Sequence, residues 1–515
     1  MALLKRLLLR LFERVELVFD FAFGQGLNPF VWLGAFGWYF FWIVAGSGIY
    51  LYIFFDTGIT NAYESVEYIT NDQWYLAGVM RSLHRYASDA LVVVVILHMS
   101  REFALDRLRG KHFFAWITGV PGLFFIYLCG ISGYWLVWDQ LAQYIAIATA
   151  EWLDSLPVFG EPIASNFLNS TTLADRFFTL MVFIHIFVPL FMLLLMWVHI
   201  QRHARARVNP PRPLSIGTGV VLVALSLVHP AVSQAPADLD VVPAVVGFDW
   251  FYLPAYPLLE VIPGGSLWLL IFGTLFVIAI LPWVPPARTP PVAVVSLDNC
   301  NGCARCFADC PYSAIAMLPR SDGKAYDTEA VVNPDHCVSC GLCVGACPTA
   351  TPYRRATAIV PGIELPGHPV AELREQTIAA AEQGAAGPRV LVYACEHSGV
   401  ESLREQGAAV ITLPCIAALP PSFVDFALSR RLAEGVMLAG CADGDCYHRL
   451  GGEWMRQRLA SERDPYLRQR VDRERVLYLR TRPSSHGEHA AALAGFRCRL
   501  AGLPEPSPAK RRHDE

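Results

Sequence analysis

The sequence predicts three parts in order: an all-α membrane helix bundle of six spans, a small α+β domain, and a small α/β domain on a parallel sheet. Three observations predict it. Long apolar runs fill residues 1–284. All cysteines except Cys129 lie beyond residue 284, eight of them in two tight runs. Past residue 387, short β-branched runs alternate with helical stretches. The whole-chain figures, 54% hydrophobic and 17% charged, therefore average two unlike halves, which rules out one soluble domain. Metal-ligand spacing of cysteines in a long chain argues against a secreted disulfide scaffold. A net charge of −4, without a long basic tract, argues against nucleic acid as a partner. No G-x-G-x-x-G occurs, so nothing points to bound NAD or flavin.

Residues 1–28 open with Lys5, Arg6, Arg10 and Arg14 alternating with leucines at helical spacing, the pattern of an interfacial amphipathic helix. The membrane domain then runs over 29–284, with spans at 29–54, 74–100, 113–138, 177–200, 215–232 and 265–284. Basic residues gather in the first helix, in Arg101–Lys111 and in Arg202–Arg212. The alternate loops 55–73, 139–172 and 233–264 hold no Lys or Arg and four acidic residues each. The positive-inside rule then predicts a multi-pass protein of the inner (cytoplasmic) membrane, with both termini and all cysteine-rich domains in the cytoplasm.

The second span carries His84 and His98, and the fourth carries His185 and His199; both pairs are 14 residues apart. Fourteen steps return to within about 40° of one helix face, displaced about 21 Å. Two such helices can clamp two planar metal cofactors, one nearer each membrane face, and bis-histidine haem fits because imidazole ligates iron axially. Histidines in lipid are costly, which weighs against four merely hydrogen-bonded side chains. Gly34 and Gly48, and Gly119 and Gly133, repeat the 14-residue interval. They read as room for a macrocycle against a helix backbone, or as small residues at helix contacts.

The stretches R-S-L-H at 81–84, G-Y-W-L-V-W-D-Q at 133–140, R-F-F-T-L-M-V-F-I-H-I-F-V-P at 176–189 and F-D-W-F-Y-L-P at 248–254 resemble cytochrome b of the quinol-oxidising bc-type complexes. The resemblance implies two haem b groups, His84 with His185 near the outer face and His98 with His199 near the inner one. It also implies that Arg81 meets a haem propionate, that quinone is a substrate, and that the chain forms a homodimer. Where the family reads P-E-W-Y, this chain has Phe248, Asp249, Trp250 and Phe251, followed by Tyr252. Asp249 and Tyr252 become the outer quinone-site candidates; an interfacial aromatic belt is the alternative for D-W-F-Y. His203 is the candidate at an inner quinone site, or else a surface histidine in a basic run. Trp32 stands where photosynthetic relatives place a haem-binding cysteine, and no C-x-x-C-H occurs, so no c-type haem is expected.

Cys300, Cys303, Cys306 and Cys310, then Cys337, Cys340, Cys343 and Cys347, each spell C-x-x-C-x-x-C-x-x-x-C-P. This is the pattern for two 4Fe–4S clusters, in which the fourth cysteine of each run ligates the other cluster. Cluster one would use Cys300, Cys303, Cys306 and Cys347; cluster two would use Cys337, Cys340, Cys343 and Cys310. Residues 292–355 thus resemble two-cluster ferredoxins, predicting a ferredoxin-like α+β domain.

In 388–502, strand-like segments Val390–Tyr393, Ala409–Leu413, Gly435–Ala439 and Val476–Leu479 predict the parallel sheet. Cys395, Cys415, Cys441 and Cys446 follow three of them, and strand carboxyl ends converge on one rim. Spacing alone permits zinc, a disulfide pair or an iron–sulfur cluster. Y-A-C-E-H-S-G, T-L-P-C and A-G-C-A-D-G-D-C-Y-H-R-L-G resemble the iron–sulfur (delta) subunit of methyl-viologen-reducing hydrogenase. That resemblance implies one 2Fe–2S cluster on the four cysteines and a soluble, heterodisulfide-reductase-like partner. Family members often carry a further cysteine where Ser398 stands here. His397 and His448 read as structural, Cys129 and Cys498 as unligated thiols, and 503–515 as a polar tail.

Together the parts read as a membrane electron-transfer oxidoreductase between a quinone pool and a soluble cytoplasmic redox protein. The competing reading is a haem and iron–sulfur anchor that conducts electrons within a larger complex and has no quinone site of its own. A metal-dependent hydrolase is the weakest class, since no nucleophile–base arrangement surrounds Cys441 and Cys446.

Overall fold

The computed structural model describes residues 2–158, 162–163, 166, 168–169, 171–201, 206–284, 291–354, 359–382, 388–399, 403–404, 406–442, 444–482 and 486–504. The chain divides into two compact units, Met1–Asp20 with Leu27–Ala287, and Phe21–Gly26 with Arg288–Glu515.

The first unit is helical. Its elements are α1 (Ala2–Phe23), α2 (Leu33–Phe54), α3 (Asn61–Glu67), α4 (Val79–Ala104), α5 (Phe113–Val137), α6 (Gln140–Asp154), α7 (Asp175–Gln201), α8 (Arg212–Val228), α9 (Tyr256–Leu259) and α10 (Gly264–Ile280). Among the described residues, four stretches combine the length and apolarity needed to cross a membrane: Pro29–Phe54, Gly110–Val137, Asp175–Gln201 and Gly264–Trp283. The other two expected spans also fold as helices but differ in kind. α4 carries Arg81, Arg85, Asp89 and Arg101, which lower its apolarity, and α8 has only 17 residues.

α2 packs along α4, and α5 along α7. Outward faces are apolar, with Phe183, Leu190 and Leu194 exposed on α7 and Leu269, Phe272 and Phe276 on α10, as suits lipid rather than water. α1 exposes Leu3, Leu4, Leu7 and Leu11. It is fixed to α4 by a buried ion pair, Arg101 Nε to Glu16 Oε1 at 2.7 Å. α6 starts at Asp139, whose carboxylate caps the Ala142 N–H at 3.0 Å.

The second unit holds β1 (Val294–Val295), α11 (Arg305–Ala308), β2 (Ile315–Pro319), β3 (Thr328–Val332), α12 (Leu342–Ala346), β4 (Ile363–Glu364), α13 (Val370–Glu382), β5 (Val390–Cys395), β6 (Ala409–Leu413), α14 (Ser422–Ser429), β7 (Gly435–Cys441), α15 (Gly451–Leu459), β8 (Val476–Thr481) and α16 (His486–Ala501). β2 and β3 form an antiparallel hairpin, and β1 pairs antiparallel with β4. β6, β5, β7 and β8 make a parallel sheet in that order, with Val392 beside Val410 on one side and Met437 on the other. β5 and β7 are buried throughout, the near-continuous apolar runs that a parallel sheet covered on both faces demands.

The stretch between the two expected cysteine domains is more than a connection. β4 completes the sheet edge of β1, while Thr377 of α13 shares a buried 2.9 Å hydrogen bond with Tyr393 of β5. One apolar core accordingly runs from Ala293 and Ile315 through Leu342 and Val344 to Ile416, Phe423 and Leu438.

Arg458, fully buried on α15, crosses that core. It donates to Ala417 O at 2.7 Å and to Asp309 Oδ2 at 2.6 Å, while Arg463 holds Asp309 Oδ1 at 2.6 Å. Gly345 lies so close to this seam that a Cβ there would collide with the Ala417 carbonyl oxygen. Gly345→Ala is therefore expected to destabilise the second unit by about 1–3 kcal/mol, as overpacking does, read as a lower midpoint in thermal or urea unfolding. An unchanged midpoint would mean that α12 can withdraw from the seam without cost.

Candidate cofactor sites

The four membrane histidines and the four glycines prove to be one arrangement. A Cβ on Gly48 would stand 2.9 Å from His84 Cε1, and one on Gly34 would stand 3.2 Å from His98 Cε1. On the other helix pair, Gly133 faces His185 at 2.9 Å and Gly119 faces His199 at 3.6 Å. In both pairs the helices run antiparallel, so equal 14-residue intervals let both contacts form at once. The glycines thus make room for imidazoles.

The rings of His84, His185 and His199 are also oriented. His84 Nδ1 lies 3.0 Å from the Val44 carbonyl, and His185 Nδ1 lies 3.1 Å from that of Cys129. A carbonyl only accepts, so Nδ1 carries the hydrogen and Nε2 carries the lone pair that binds metal. Hydroxyls reinforce the choice: Ser47 reaches His84 Nδ1 at 3.2 Å, Ser132 reaches His185 Nδ1 at 3.1 Å, and Thr118 reaches His199 Nδ1 at 2.9 Å. Each hydroxyl belongs to the residue just before a glycine. Sequence reasoning missed all three, although hydroxyl–Gly at 47–48, 118–119 and 132–133 was a readable signal.

The rings of His84 and His185 have centroids 6.2 Å apart. Iron between two imidazoles, about 2 Å from each nitrogen, requires close to that spacing. The residues therefore fit a bis-histidine haem, which when bound supplies one-electron redox chemistry. Arg81 is held by Thr70 and by Ser233 Oγ at 2.9 Å, and lies 3.9 Å from Glu67.

Asp249 is buried and engaged at both oxygens. Oδ2 takes hydrogen bonds from Arg85 and Tyr134, and Oδ1 accepts from the Phe251 N–H at 2.6 Å. Burial holds its carboxyl above the usual carboxylate range. Tyr252 donates to Ser88 O at 2.9 Å, with its ring against Gly130, where any side chain would collide. Arg85 also approaches Asp89 at 3.4 Å. Arg85 and Tyr134 were not anticipated, yet a basic residue next to a span histidine is itself a functional signal. His203 lies outside the described residues.

In the second unit the two cysteine runs adopt matching loops. The second residue after the first cysteine is left-handed in both, Gly302 at φ 64° and Ser339 at φ 56°, and so is the fourth, Ala304 at 58° and Gly341 at 73°. Such turns point successive N–H groups into an anion-binding hollow. Burial first, then the Cys347, Cys303 and Cys300 thiols, push the Cys306 thiol up to about 12. Cys343 is raised in the same way by burial and by Cys340, Cys306, Cys310 and Cys337. Those neighbour sets contain the two crossed ligand groups expected from the sequence. Buried thiols that resist ionisation together need a cationic cluster to hold them as thiolates. A backbone donor and a side-chain hydroxyl support the ends of the runs, Ala314 N–H to Cys310 Sγ at 3.2 Å and Thr349 Oγ1 beside Cys347 Sγ at 3.0 Å.

At the sheet rim, Cys395 ends β5, Cys441 ends β7, and Cys415 lies two residues past β6. Cys441 Sγ is 3.7 Å from Cys395 Sγ. Cys446 accepts hydrogen bonds from Cys415 and Cys441, which hold its thiol well below the ordinary range. Gly451 abuts Cys415 Sγ, so a side chain there would enter the site. Ser398 is buried and donates to Cys395 O at 2.7 Å. His448 is buried near Tyr312, and His397 stacks on Tyr447 at 3.7 Å. Among the described residues, no three His, Cys, Asp or Glu side chains are spaced for a single metal ion.

Three family models match the chain, one per region. Residues 19–205 match Cytochrome b/b6/petB, residues 299–351 match the 4Fe-4S dicluster domain, and residues 383–503 match the methyl-viologen-reducing hydrogenase, delta subunit. The chain is a membrane electron-transfer protein. The first match implies haem b and the second implies 4Fe–4S clusters. One similar solved structure, titled "Hyperthermophilic respiratory Complex III", is 21% identical over 50% of this chain and 75% of that one, with a TM-score of 0.40.

Gly48→Val and Gly133→Val are expected to displace His84 and His185 and to lower haem b per chain, measured by absorbance of purified protein. Ser132→Ala should act more mildly, weakening haem retention about 10- to 100-fold, the usual cost of losing a partner of a ligating imidazole.

Proposed function

We propose that the chain relays electrons between a quinone/quinol pool and a soluble cytoplasmic redox partner. The observation that carries this reading is the arrangement of four membrane imidazoles against four glycines, together with two crossed thiol sets and a third thiol site, in one chain. In this reading the bundle has six spans, α4 and α8 included, and both termini face the cytoplasm. His84 with His185 holds the outer haem, His98 with His199 the inner one, and Arg81 meets a propionate. Cys300, Cys303, Cys306 and Cys347 hold one 4Fe–4S cluster, and Cys310, Cys337, Cys340 and Cys343 the other. Cys395, Cys415, Cys441 and Cys446 hold a 2Fe–2S cluster that faces a heterodisulfide-reductase-like partner. The chain is taken as a homodimer, with domains at 29–284, 292–355 and 388–502.

At the outer face, Asp249 is the group that exchanges a proton with quinol, and Tyr252 lines the same site. The raised carboxyl of Asp249 supports this, because it brings protonation nearer to neutral pH. Arg85 orients the carboxylate. His203 is assigned to an inner quinone site.

A specific observation favours a second reading. Arg85, Tyr134 and backbone N–H groups already satisfy Asp249, as they would in a conduit with no quinone site of its own.

Adding quinol to isolated membranes separates the two. The first reading expects the b haems to be reduced, and Asp249→Asn to slow that reduction about 100-fold while chemically reducible haem stays constant. Haems that quinol never reduces would leave only the conduit.

A further inference from the structure

Of the two four-iron sites, the second stands against the C-terminal thiols. Cys343 rides on α12, whose Gly341 would meet Ala418 with any Cβ at 2.8 Å and whose Gly345 abuts the Ala417 carbonyl. Ala417 and Ala418 directly follow Cys415. Cys310 is followed by Pro311 and then Tyr312, a half-buried ring packed against the shared core, its hydroxyl 3.5 Å from Nδ1 of His448, which lies two residues past Cys446. Cys303 of the first site, by contrast, is exposed.

Arg458 joins these segments. Its guanidinium binds Asp309, the residue before Cys310, at 2.6 Å, and Ala417 O, two residues after Cys415, at 2.7 Å. It also comes within 3.5 Å of Leu342 O, the residue before Cys343. Its side chain has no exposure, and Asp309 is shared with Arg463. Two guanidiniums on one carboxylate leave a net positive charge between the two thiol sites, Arg458 fully buried and Arg463 about a quarter exposed.

We propose that Arg458 is the positioning residue for electron passage between the second four-iron site and the C-terminal thiol site, which makes the second cluster the middle carrier and the first the outer one. This rests on the reading of the C-terminal site as an iron–sulfur centre. One electron leaves one cluster and enters the other, and no bond or proton changes place. The electron comes from the membrane haems or, in reverse, from the soluble partner. Arg458 fixes the distance through its hydrogen bonds, and its charge favours the more negative, reduced state on both sides.

The test compares Arg458→Met, Arg458→Lys and Asp309→Asn in the full-length, cluster-loaded protein, by redox titration with electron paramagnetic resonance. Arg458→Met should make reduction of the second cluster about tenfold less favourable, about 59 mV for a one-electron couple. It should also weaken the magnetic coupling between that cluster and the C-terminal one. Arg458→Lys should restore the potential but not the coupling, because a point charge lacks the fork that spans both segments. Asp309→Asn removes a negative charge and should shift the potential the opposite way; it decides the matter if Arg458→Met fails to hold iron. Wild-type potentials and coupling in Arg458→Met, or in Asp309→Asn where it stands in, overturn the proposal. A wild-type protein with zinc in the C-terminal site and no third paramagnetic signal overturns the reading beneath it.

Discussion

An imidazole packed against a glycine is the contact on which the membrane half is built. It occurs four times, and the equal spacing of histidines and glycines lets two contacts form along each antiparallel helix pair. A side chain at Gly34, Gly48 or Gly133 would press on the ring, and one at Gly119 would just touch it. The contact also fixes which nitrogen of His84 and His185 faces a metal, because the glycine-bearing helix supplies the carbonyls and hydroxyls that occupy Nδ1. Helix packing and ligand orientation are therefore one constraint, and a change to either disturbs both.

The second unit solves a different problem, the crowding of groups that resist charge in a dry interior. Cys306, Cys340, Cys343, Cys347, Cys395, Cys415 and Cys441 are buried, and the thiols of Cys306, Cys343, Cys415 and Cys441 are pushed upward by burial and by neighbouring thiols. Left-handed turns and N–H groups aimed at sulfur offer partial compensation. The deeply buried guanidinium of Arg458 in this seam is paired with Asp309 and bonded to Ala417 O, while its buried Nε has no hydrogen-bond partner among the described residues.

Much of this was legible in the sequence, for a stated reason. Strand positions in 388–502 were readable because buried parallel strands are uninterrupted apolar runs, and Val390–Cys395 and Gly435–Cys441 needed only short extensions. The histidines were readable because polar groups in apolar helices stand out. What was not legible depends on contacts distant in sequence. Arg85 with Asp249, Arg458 with Asp309, and the hydroxyls on Nδ1 leave no periodic trace. β4 and α13 were hidden in a polar, Pro- and Gly-bearing stretch that reads as a linker until its partners are known. α4 and α8 show the converse: both expected spans form helices, yet charge in one and shortness in the other keep them from the plain apolar signature.

The shared core of the cysteine-rich and C-terminal parts carries a kinetic meaning. Separate redox proteins must first collide, and their encounter slows as salt screens the charges that steer them. Here the Cys343 helix and the Cys415 loop are packed in one interior, with Ile416, Leu342 and Val344 in the same cluster. In the proposed relay, transfer across that seam would be unimolecular, indifferent to protein concentration and to ionic strength. In that reading, any dependence on either measured for the whole chain would belong to the ends of the relay.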